Sequence, residues 1–133
     1  MPRKRQATPT EVEMEILQVL WDIEPATVRD VVERLNQVRP RAYTSILSMM
    51  NVMHTKGLVT RKSSGRAHVY RAKHSREKTL GGVVKELLGR AFQGSSASLI
   101  TQVLEQSKPS PEELAEIRQA IEAWRHNEEQ SNG

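Results

Sequence analysis

Small polar side chains on one face of a predicted helix are the groups in this sequence best suited to chemistry. Between Arg41 and Lys56, hydroxyl and amide residues recur at helical spacing, and Gly57 follows as a stop signal. They are Thr44, Ser45, Ser48, Asn51 and Thr55. Such groups donate and accept hydrogen bonds, and their small size lets a helix approach its partner closely. The segment contains no Asp or Glu. The face therefore suits a partner that carries hydrogen-bonding edges and negative charge.

A predicted β-hairpin with a basic turn follows this helix directly. Two strand-like segments, Leu58–Lys62 and Ala67–Arg71, flank the tetrapeptide Ser63-Ser64-Gly65-Arg66. Gly65 is expected to supply a tight turn with a positive φ. A helix, a glycine stop, a strand, a basic turn and a second strand, in this order, are typical of a winged helix-turn-helix. In helix-turn-helix folds the recognition helix lies in the major groove of DNA.

Two further helices are predicted ahead of the recognition helix. Thr8-Pro9-Thr10-Glu11 predicts the start of the first, with Thr8 as its cap, and Pro25 ends it. Thr27, followed three residues later by Asp30, predicts the start of the second. The apolar stripes that these three helices would bury are Val12, Ile16, Val19 and Leu20, then Val28, Val31, Val32 and Leu35, then Ala42, Ile46, Met49, Met50 and Met53. The methionines are interpreted as core filling rather than as metal or haem ligands.

The segment after residue 73 is predicted to form three amphipathic helices, the last of which begins at Ser110-Pro111-Glu112-Glu113. Its candidate dimerisation residues are Leu80, Val84, Leu87, Leu88, Leu99, Val103, Leu114, Ile117 and Ile121. So small a unit rarely buries enough apolar area to be stable alone. A second copy is therefore expected to cover these stripes in a twofold-symmetric homodimer. The alternative is that the helices fold back on the N-terminal domain.

Composition and charge limit the function further. Residues 1–73 hold 13 Lys and Arg against 7 Asp and Glu, whereas residues 74–133 hold 7 against 9. A basic first part gains affinity for phosphate by releasing counterions. The absence of cysteine excludes disulfides, zinc fingers and thiol catalysis. Neither a membrane span nor a secretory signal is predicted, so a cytoplasmic protein without membrane insertion is expected.

These observations predict a mainly α protein with a small antiparallel β-wing, an α+β fold. Residues 1–7 are expected to be a flexible basic arm and residues 8–73 a winged-helix DNA-binding domain. Residues 74–126 are expected to form a helical dimerisation domain, and residues 127–133 a disordered tail. The predicted partners are double-stranded DNA with a palindromic operator and a second copy of the chain.

Individual roles follow from this fold. The DNA-binding residues predicted in and around the recognition helix are Arg41, Tyr43, Thr44, Ser45, Ser48, Asn51 and Lys56. Those predicted in the wing are Arg61, Lys62, Arg66 and His68. Arg41 and Lys56 would position the DNA backbone, and Arg61, Lys62 and Arg66 would meet phosphate or the minor groove. Three alternatives stay open: Tyr43 packs at the domain surface, Arg66 pairs with an acidic side chain, and the arm Arg3-Lys4-Arg5 is merely solvated.

Several short motifs, in a specific order, resemble one known family. They are Glu15-Ile16-Leu17 with Leu20-Trp21, Pro25-Ala26-Thr27-Val28, Ala42-Tyr43-Thr44, Lys56-Gly57-Leu58-Val59, Gly65-Arg66-Ala67-His68-Val69-Tyr70, Ser98-Leu99 and Ser110-Pro111-Glu112-Glu113-Leu114. Over residues 8–126 the chain resembles the penicillinase-repressor (BlaI/MecI/CopY) family of bacterial transcriptional regulators. The resemblance implies a winged-helix domain, a helical dimerisation domain, and a dimer that blocks transcription from palindromic operators. In well-studied members a membrane sensor-transducer triggers proteolysis of the dimerisation domain.

The sequence departs from this family in three places. Copper-responsive members carry a C-terminal cysteine motif, and this chain has no cysteine. Many members have Arg near the end of the recognition helix where this chain has Val52. The Asn-Phe bond that is cleaved in β-lactam-responsive members aligns with Gln102-Val103. The resemblance therefore supports repression more strongly than β-lactam-triggered proteolysis.

Enzymes and protein-binding modules are the two alternative classes of protein. The histidines His54, His68, His74 and His126 form no recognised metal spacing, and no phosphate-binding loop or nucleophile motif is present. The expectation is therefore a protein without catalytic residues, metal or cofactor. The second class is a winged-helix module for protein–protein interaction without sequence-specific DNA binding. It would need neither a basic wing nor a small polar helix face.

Overall fold

The computed structural model describes residues 8–132, which form six helices and one antiparallel hairpin. The elements are α1 (Glu11–Ile23), α2 (Val28–Asn36), α3 (Tyr43–Lys56), β1 (Val59–Ser64), β2 (Ala67–Ala72), α4 (Arg76–Phe92), α5 (Ser96–Ser107) and α6 (Pro111–Asn132). This order confirms the mainly α fold with a small β-wing. The basic arm predicted at residues 1–7 lies outside the described residues.

Both leading helices begin with a capping box, in which a cap side chain and a carboxylate three residues later satisfy each other's backbone N–H groups. In α2 the pair is Thr27 and Asp30, as predicted. In α1 the cap is Thr10 with Glu13, not Thr8. The predicted start was wrong by two residues because Thr8 and Thr10 are each followed by Glu at the same spacing, so tertiary contacts of Glu13 decide between them.

The hydrophobic core lies among α1, α2, α3 and the hairpin. Its buried members are Ile16, Leu17, Val19, Leu20, Ala26, Val28, Val31, Val32, Leu35, Ile46, Met50, Met53, Leu58, Val59 and Tyr70. The predicted stripes of α1 to α3 are confirmed in the main, although Val12 and Met49 are only partly buried and Ala42 is exposed. Burying one large apolar side chain stabilises the fold by roughly 1.5–3 kcal/mol. The buried face of α3 therefore determines how this helix is oriented.

The wing is shorter at its turn than the sequence predicted. Ser64 pairs with Ala67, so the loop contains only Gly65 and Arg66, and Ser63 and Ser64 belong to β1. Gly65 has φ +64°, which confirms the positive φ, and Arg66 is not among the positive-φ residues. A glycine with positive φ at the first of two loop positions is typical of a type II′ turn, whose twist matches that of the strands.

The base of the wing is joined to the core through an isolated β-bridge between Ala26 and Tyr70. Ala26 and Tyr70 exchange two backbone hydrogen bonds, with N···O distances of 3.1 and 2.7 Å. The Glu24 carboxylate accepts a further bond from the N–H of Ala72 at 2.7 Å. These contacts hold β2 against the loop between α1 and α2.

The chain divides into two compact units that meet between Leu87 and Leu88, inside α4. That the DNA-binding domain ends at residue 73 stays a prediction.

In the second unit, α6 continues to Asn132. Residues 127–132 are therefore helical and not the disordered tail that was predicted, because Arg125 lies 3.3 Å from Glu122 and 3.8 Å from Glu129 at helical spacing. Over residues 8–132, no helix is long and apolar enough to cross a membrane.

Candidate nucleic-acid interface

The recognition helix α3 buries one face and exposes the other. Ile46, Met50 and Met53 are buried at successive helical turns and anchor α3 in the core. The predicted polar contacts are all exposed: Thr44, Ser45, Ser48, Asn51 and Thr55. α3 therefore presents a surface of hydroxyl and amide groups without a carboxylate, as the sequence predicted.

Both ends of α3 are tied to α1 by ion pairs. Before the helix starts, Arg41 Nη2 donates to Glu15 Oε1 at 2.9 Å. At its last residue, Lys56 Nζ donates to Glu13 Oε2 at 2.7 Å. These are the two cations that the sequence placed on the DNA backbone. The structure gives each a carboxylate partner within the domain, so they hold α3 in place over the core.

The Glu13 carboxylate is almost fully buried, with only 2% of its surface exposed. Burial by itself raises the pKa of Glu13, but hydrogen bonds from Lys56 and from the backbone N–H of Thr10 outweigh it, so the pKa lies below its ordinary value. Glu13 therefore stays ionised, and the same group caps α1 and fixes the end of α3.

Arg61 links the wing to the recognition helix. Its Nη1 donates to Asn51 Oδ1 at 2.9 Å and lies 3.5 Å from the hydroxyl oxygen of Tyr70. Because Arg61 pairs with Tyr70 in the β-register, its side chain emerges on the face of the hairpin that meets α3. The sequence placed Arg61 on phosphate; the structure instead brings it together with Asn51.

The other predicted wing residues form no hydrogen bond with Arg61 or Asn51 in the described part of the chain. Lys62, Arg66 and His68 are exposed, and the His68 ring meets Tyr70 edge-on with centroids 6.4 Å apart. Within the described part of the chain, Arg66 forms no ion pair. Arg66 thus lies at the wing tip as an exposed cation, and the alternative of an acidic partner is not observed.

Two residues on or beside this surface were not among the predicted DNA contacts. Val52 is 45% exposed and lies one helical turn beyond Ser48 on the polar face. An isolated apolar residue on a polar helix face was the signal. Lys73 is the second: its Nζ lies 3.9 Å from where a Cβ on Gly57 would be, at the C-terminal end of α3. No local pattern indicates this contact, because it depends on the Lys73 N–H donating to the Leu58 carbonyl at 3.0 Å.

Tyr43, at the first turn of α3, is 46% exposed. Its position is compatible both with a DNA contact and with the packing role left open above. In the same turn, Ala42 caps α3 without a side-chain hydrogen bond, so backbone N–H groups at the start of α3 are left available to a partner.

The candidate dimerisation residues are partly or largely exposed in the single chain. None of the residues of α4, α5 or α6 is buried. The large apolar side chains left exposed there are Val84, Leu87, Ile100, Val103, Ile121 and Trp124. Gln102 and Val103, at the bond aligned with the family's cleavage position, are exposed near the middle of α5.

The fold is that of a winged-helix protein. It has a three-helix core, a hairpin packed at the end of the third helix, and an exposed polar face on that helix. The sequence profile of the penicillinase repressor family matches residues 9–123. The chain belongs to this family.

Three relatives illustrate the range of similarity. The chain is 32% identical over 87 residues to the transcriptional regulator BlaI of Mycobacterium tuberculosis (strain CDC 1551 / Oshkosh), covering 65% of this chain and 63% of that one. The match thus spans less than two thirds of the length of that regulator. The penicillinase repressor of Bacillus licheniformis is 22% identical over 121 residues, with 91% and 94% covered. The methicillin resistance regulatory protein MecI of Staphylococcus aureus (strain N315) is 18% identical over 112 residues, with 84% and 91% covered.

Proposed function

We propose that this chain is a transcriptional repressor that binds specific double-stranded DNA through α3 and the wing. The observation that carries the proposal is the exposed, carboxylate-free polar face of α3 beside a hairpin with a cationic tip. Thr44, Ser45 and Ser48 reach base edges in the major groove, and Lys62 and Arg66 neutralise phosphates. Membership of a family with named repressors supports the same role. This role requires access to chromosomal DNA, and a cytoplasmic location is part of the proposal.

The repressor acts as a homodimer. α4, α5 and α6 leave apolar side chains without burial in the single chain, and a second copy is the partner that is always present. Two recognition helices related by a twofold axis read a palindrome with half-sites about 34–36 Å apart or a multiple of this. Occupation of such a site within a promoter blocks transcription.

Relief of repression by proteolysis of the dimerisation domain is the finer part of the proposal. Cleavage at Gln102-Val103 in α5 would separate α6 from the rest of the chain and remove apolar side chains from the dimer. A membrane sensor-transducer or its protease would be the partner for this step. Cleavage is tested by incubating the chain with lysate from induced cells and identifying the fragments by mass spectrometry. An intact chain in derepressed cells would argue against cleavage.

The test of the main proposal is genome-wide mapping of DNA bound by the protein in its source cells, followed by binding of the purified chain to the recovered sites. We expect one palindrome, near promoters, bound by two copies of the chain. Scattered binding that vanishes with moderate salt and shows no shared sequence would contradict sequence-specific repression. Failure to bind DNA even at low salt would favour a protein–protein interaction module instead.

A further inference from the structure

The contact between Arg61 and Asn51 joins a buried anchor in the wing to an exposed residue of the recognition helix. Tyr70 is 1% exposed and is held by its backbone bonds to Ala26. Arg61 lies between the Tyr70 hydroxyl and Asn51, at 3.5 and 2.9 Å. Asn51 itself is exposed on α3. The side chain of Asn51 is thus restrained from the core side, through Arg61.

The chemistry of this contact determines which end of the Asn51 amide faces outward. A guanidinium group has only donors, so Arg61 requires an acceptor, which is the amide oxygen Oδ1. The amide nitrogen Nδ2, with its two N–H donors, must then lie at the other end of the group. Among the hydrogen bonds formed within residues 8–132, none uses Asn51 Nδ2. Asn51 therefore turns its donor end toward the exposed surface.

We propose that Asn51 reads guanine at one position of each operator half-site and that Arg61 is the positioning residue that makes it do so. The inference rests on the proposed function. A free asparagine pairs best with adenine, because its oxygen accepts from N6 while its nitrogen donates to N7. With Oδ1 turned toward Arg61, the donor end of Asn51 is the end that faces the base edges. Guanine is the base that presents two acceptors, N7 and O6, in the major groove, and cytosine presents a donor there.

The competing role for Arg61 is a phosphate contact, which its position in a basic wing suggests. Asn51 and Tyr70 engage only Nη1 of the guanidinium group, so a phosphate contact would use Nη2 or Nε. The two roles differ in what they control. A phosphate contact changes affinity for all sequences and the salt dependence of binding, whereas positioning of Asn51 changes the preference at one base pair.

The experiment is selection of bound sequences from a library of randomised half-sites in a palindrome, for the full chain and four variants. Asn51→Asp keeps the shape and the bond to Arg61 but presents an acceptor outward. We expect the guanine preference at one position to fall by about tenfold or more, with cytosine gaining.

Arg61→Leu should broaden the base preference at that same position. Arg61→Lys can still donate to Oδ1, so it should retain part of the guanine preference. Lys62→Leu, at the neighbouring exposed position of β1, is the matched control that lowers affinity at all positions equally.

Salt titrations of the same variants separate the outcomes. The inference holds if Arg61→Leu changes the base preference but not the slope of log K against log salt. Lys62→Leu should instead make this slope less steep. It is overturned if Arg61→Leu flattens the slope by about one unit without changing any preference. It is also overturned if Asn51→Asp, folded by circular dichroism, retains the guanine preference. If the wild-type chain selects no palindrome, both the proposed function and this inference are contradicted. If the wild-type chain selects a palindrome but the variants do not change its base preference, only the inference is contradicted.

Discussion

Glu13 in α1 and Lys56 at the end of α3 form an ion pair with a nitrogen–oxygen distance of 2.7 Å, although the two residues are separated by 43 positions in sequence. The carboxylate is buried, and its second oxygen accepts from the N–H of Thr10 at 2.9 Å. One side chain therefore completes the capping box of α1 and holds the last residue of α3. The surface that we propose for DNA recognition depends on this relationship.

Loss of the Lys56 charge should destabilise the domain more than loss of a cation that has no buried carboxylate partner among the described residues. Lys56→Met leaves the Glu13 carboxylate buried without its charged donor, and we expect a loss of about 2 kcal/mol in the free energy of unfolding. Lys62→Met, in the exposed part of β1, is the matched control and should lie within about 0.5 kcal/mol of wild type. Urea denaturation followed by circular dichroism measures both. Equal losses in the two variants would contradict the role assigned to the ion pair.

Acid should weaken the fold partly through Glu13. Its pKa in the folded chain lies below the ordinary value of 4.5, so the unfolded chain binds a proton more readily. The contribution of Glu13 to stability is therefore complete above pH 4.5 and is lost as pH falls through the lower folded pKa. Glu13→Gln should make the unfolding free energy less dependent on pH below 4.5. Denaturation curves at a series of acid pH values test this, with Glu11→Gln, at an exposed position, as the control.

Phosphate contacts should be distinguishable from structural cations by salt dependence. Arg66→Ala should lower affinity for all DNA sequences and reduce the slope of log K against log salt by about 0.9, the value for one phosphate. Arg41→Ala should change the slope less, because Arg41 is already paired with Glu15 at 2.9 Å. Fluorescence anisotropy with labelled DNA at several salt concentrations measures both slopes. An Arg66 variant with an unchanged slope would remove the wing tip from the interface.

The proposed dimer should be sensitive to charge on the apolar face of α5. Val103 is exposed in the single chain, so Val103→Glu would bury a carboxylate only if a partner covers this face. Gln102→Glu introduces the same charge at the neighbouring exposed residue and is the control. Sedimentation velocity should show a monomer for the first variant and a dimer for the second, with operator binding lost in parallel. Two dimeric variants would show that the interface lies elsewhere.

The turn that ends the recognition helix should require glycine for its backbone conformation. Gly57 has φ +83°, and a Cβ there would meet only Lys73 Nζ at 3.9 Å, which is ordinary contact. Gly57→Ala should therefore cost about 1 kcal/mol through the left-handed conformation rather than through a clash. Gly89→Ala, inside α4 with nothing near its Cβ, should be neutral or stabilising. Thermal unfolding of the two variants gives the comparison.

Local patterns made most of the element order predictable. Apolar spacing of 3.6 residues, proline breaks and capping pairs placed the helices within a few residues, and Gly65 marked the wing turn. The length of that turn was overestimated because Ser63 and Ser64 have no marked strand pattern and join β1 through pairing with β2. The helix at residues 127–132 was not predicted because these residues are polar. Their helical conformation is supported by the ion pairs that Arg125 forms with Glu122 and Glu129.

The sequence by itself determined the class of fold and the polar face of α3, since both depend on spacing along one segment and on the chemistry of side chains within it. Only the tertiary structure decided which cations are free. Arg41, Lys56 and Arg61 have the same formal charge as Arg66 in the sequence, but the first three meet Glu15, Glu13 and Asn51 from other elements. Hydrogen bonds and ion pairs act over about 3 Å, so a pairing across 10 to 43 residues exists only once the chain has folded.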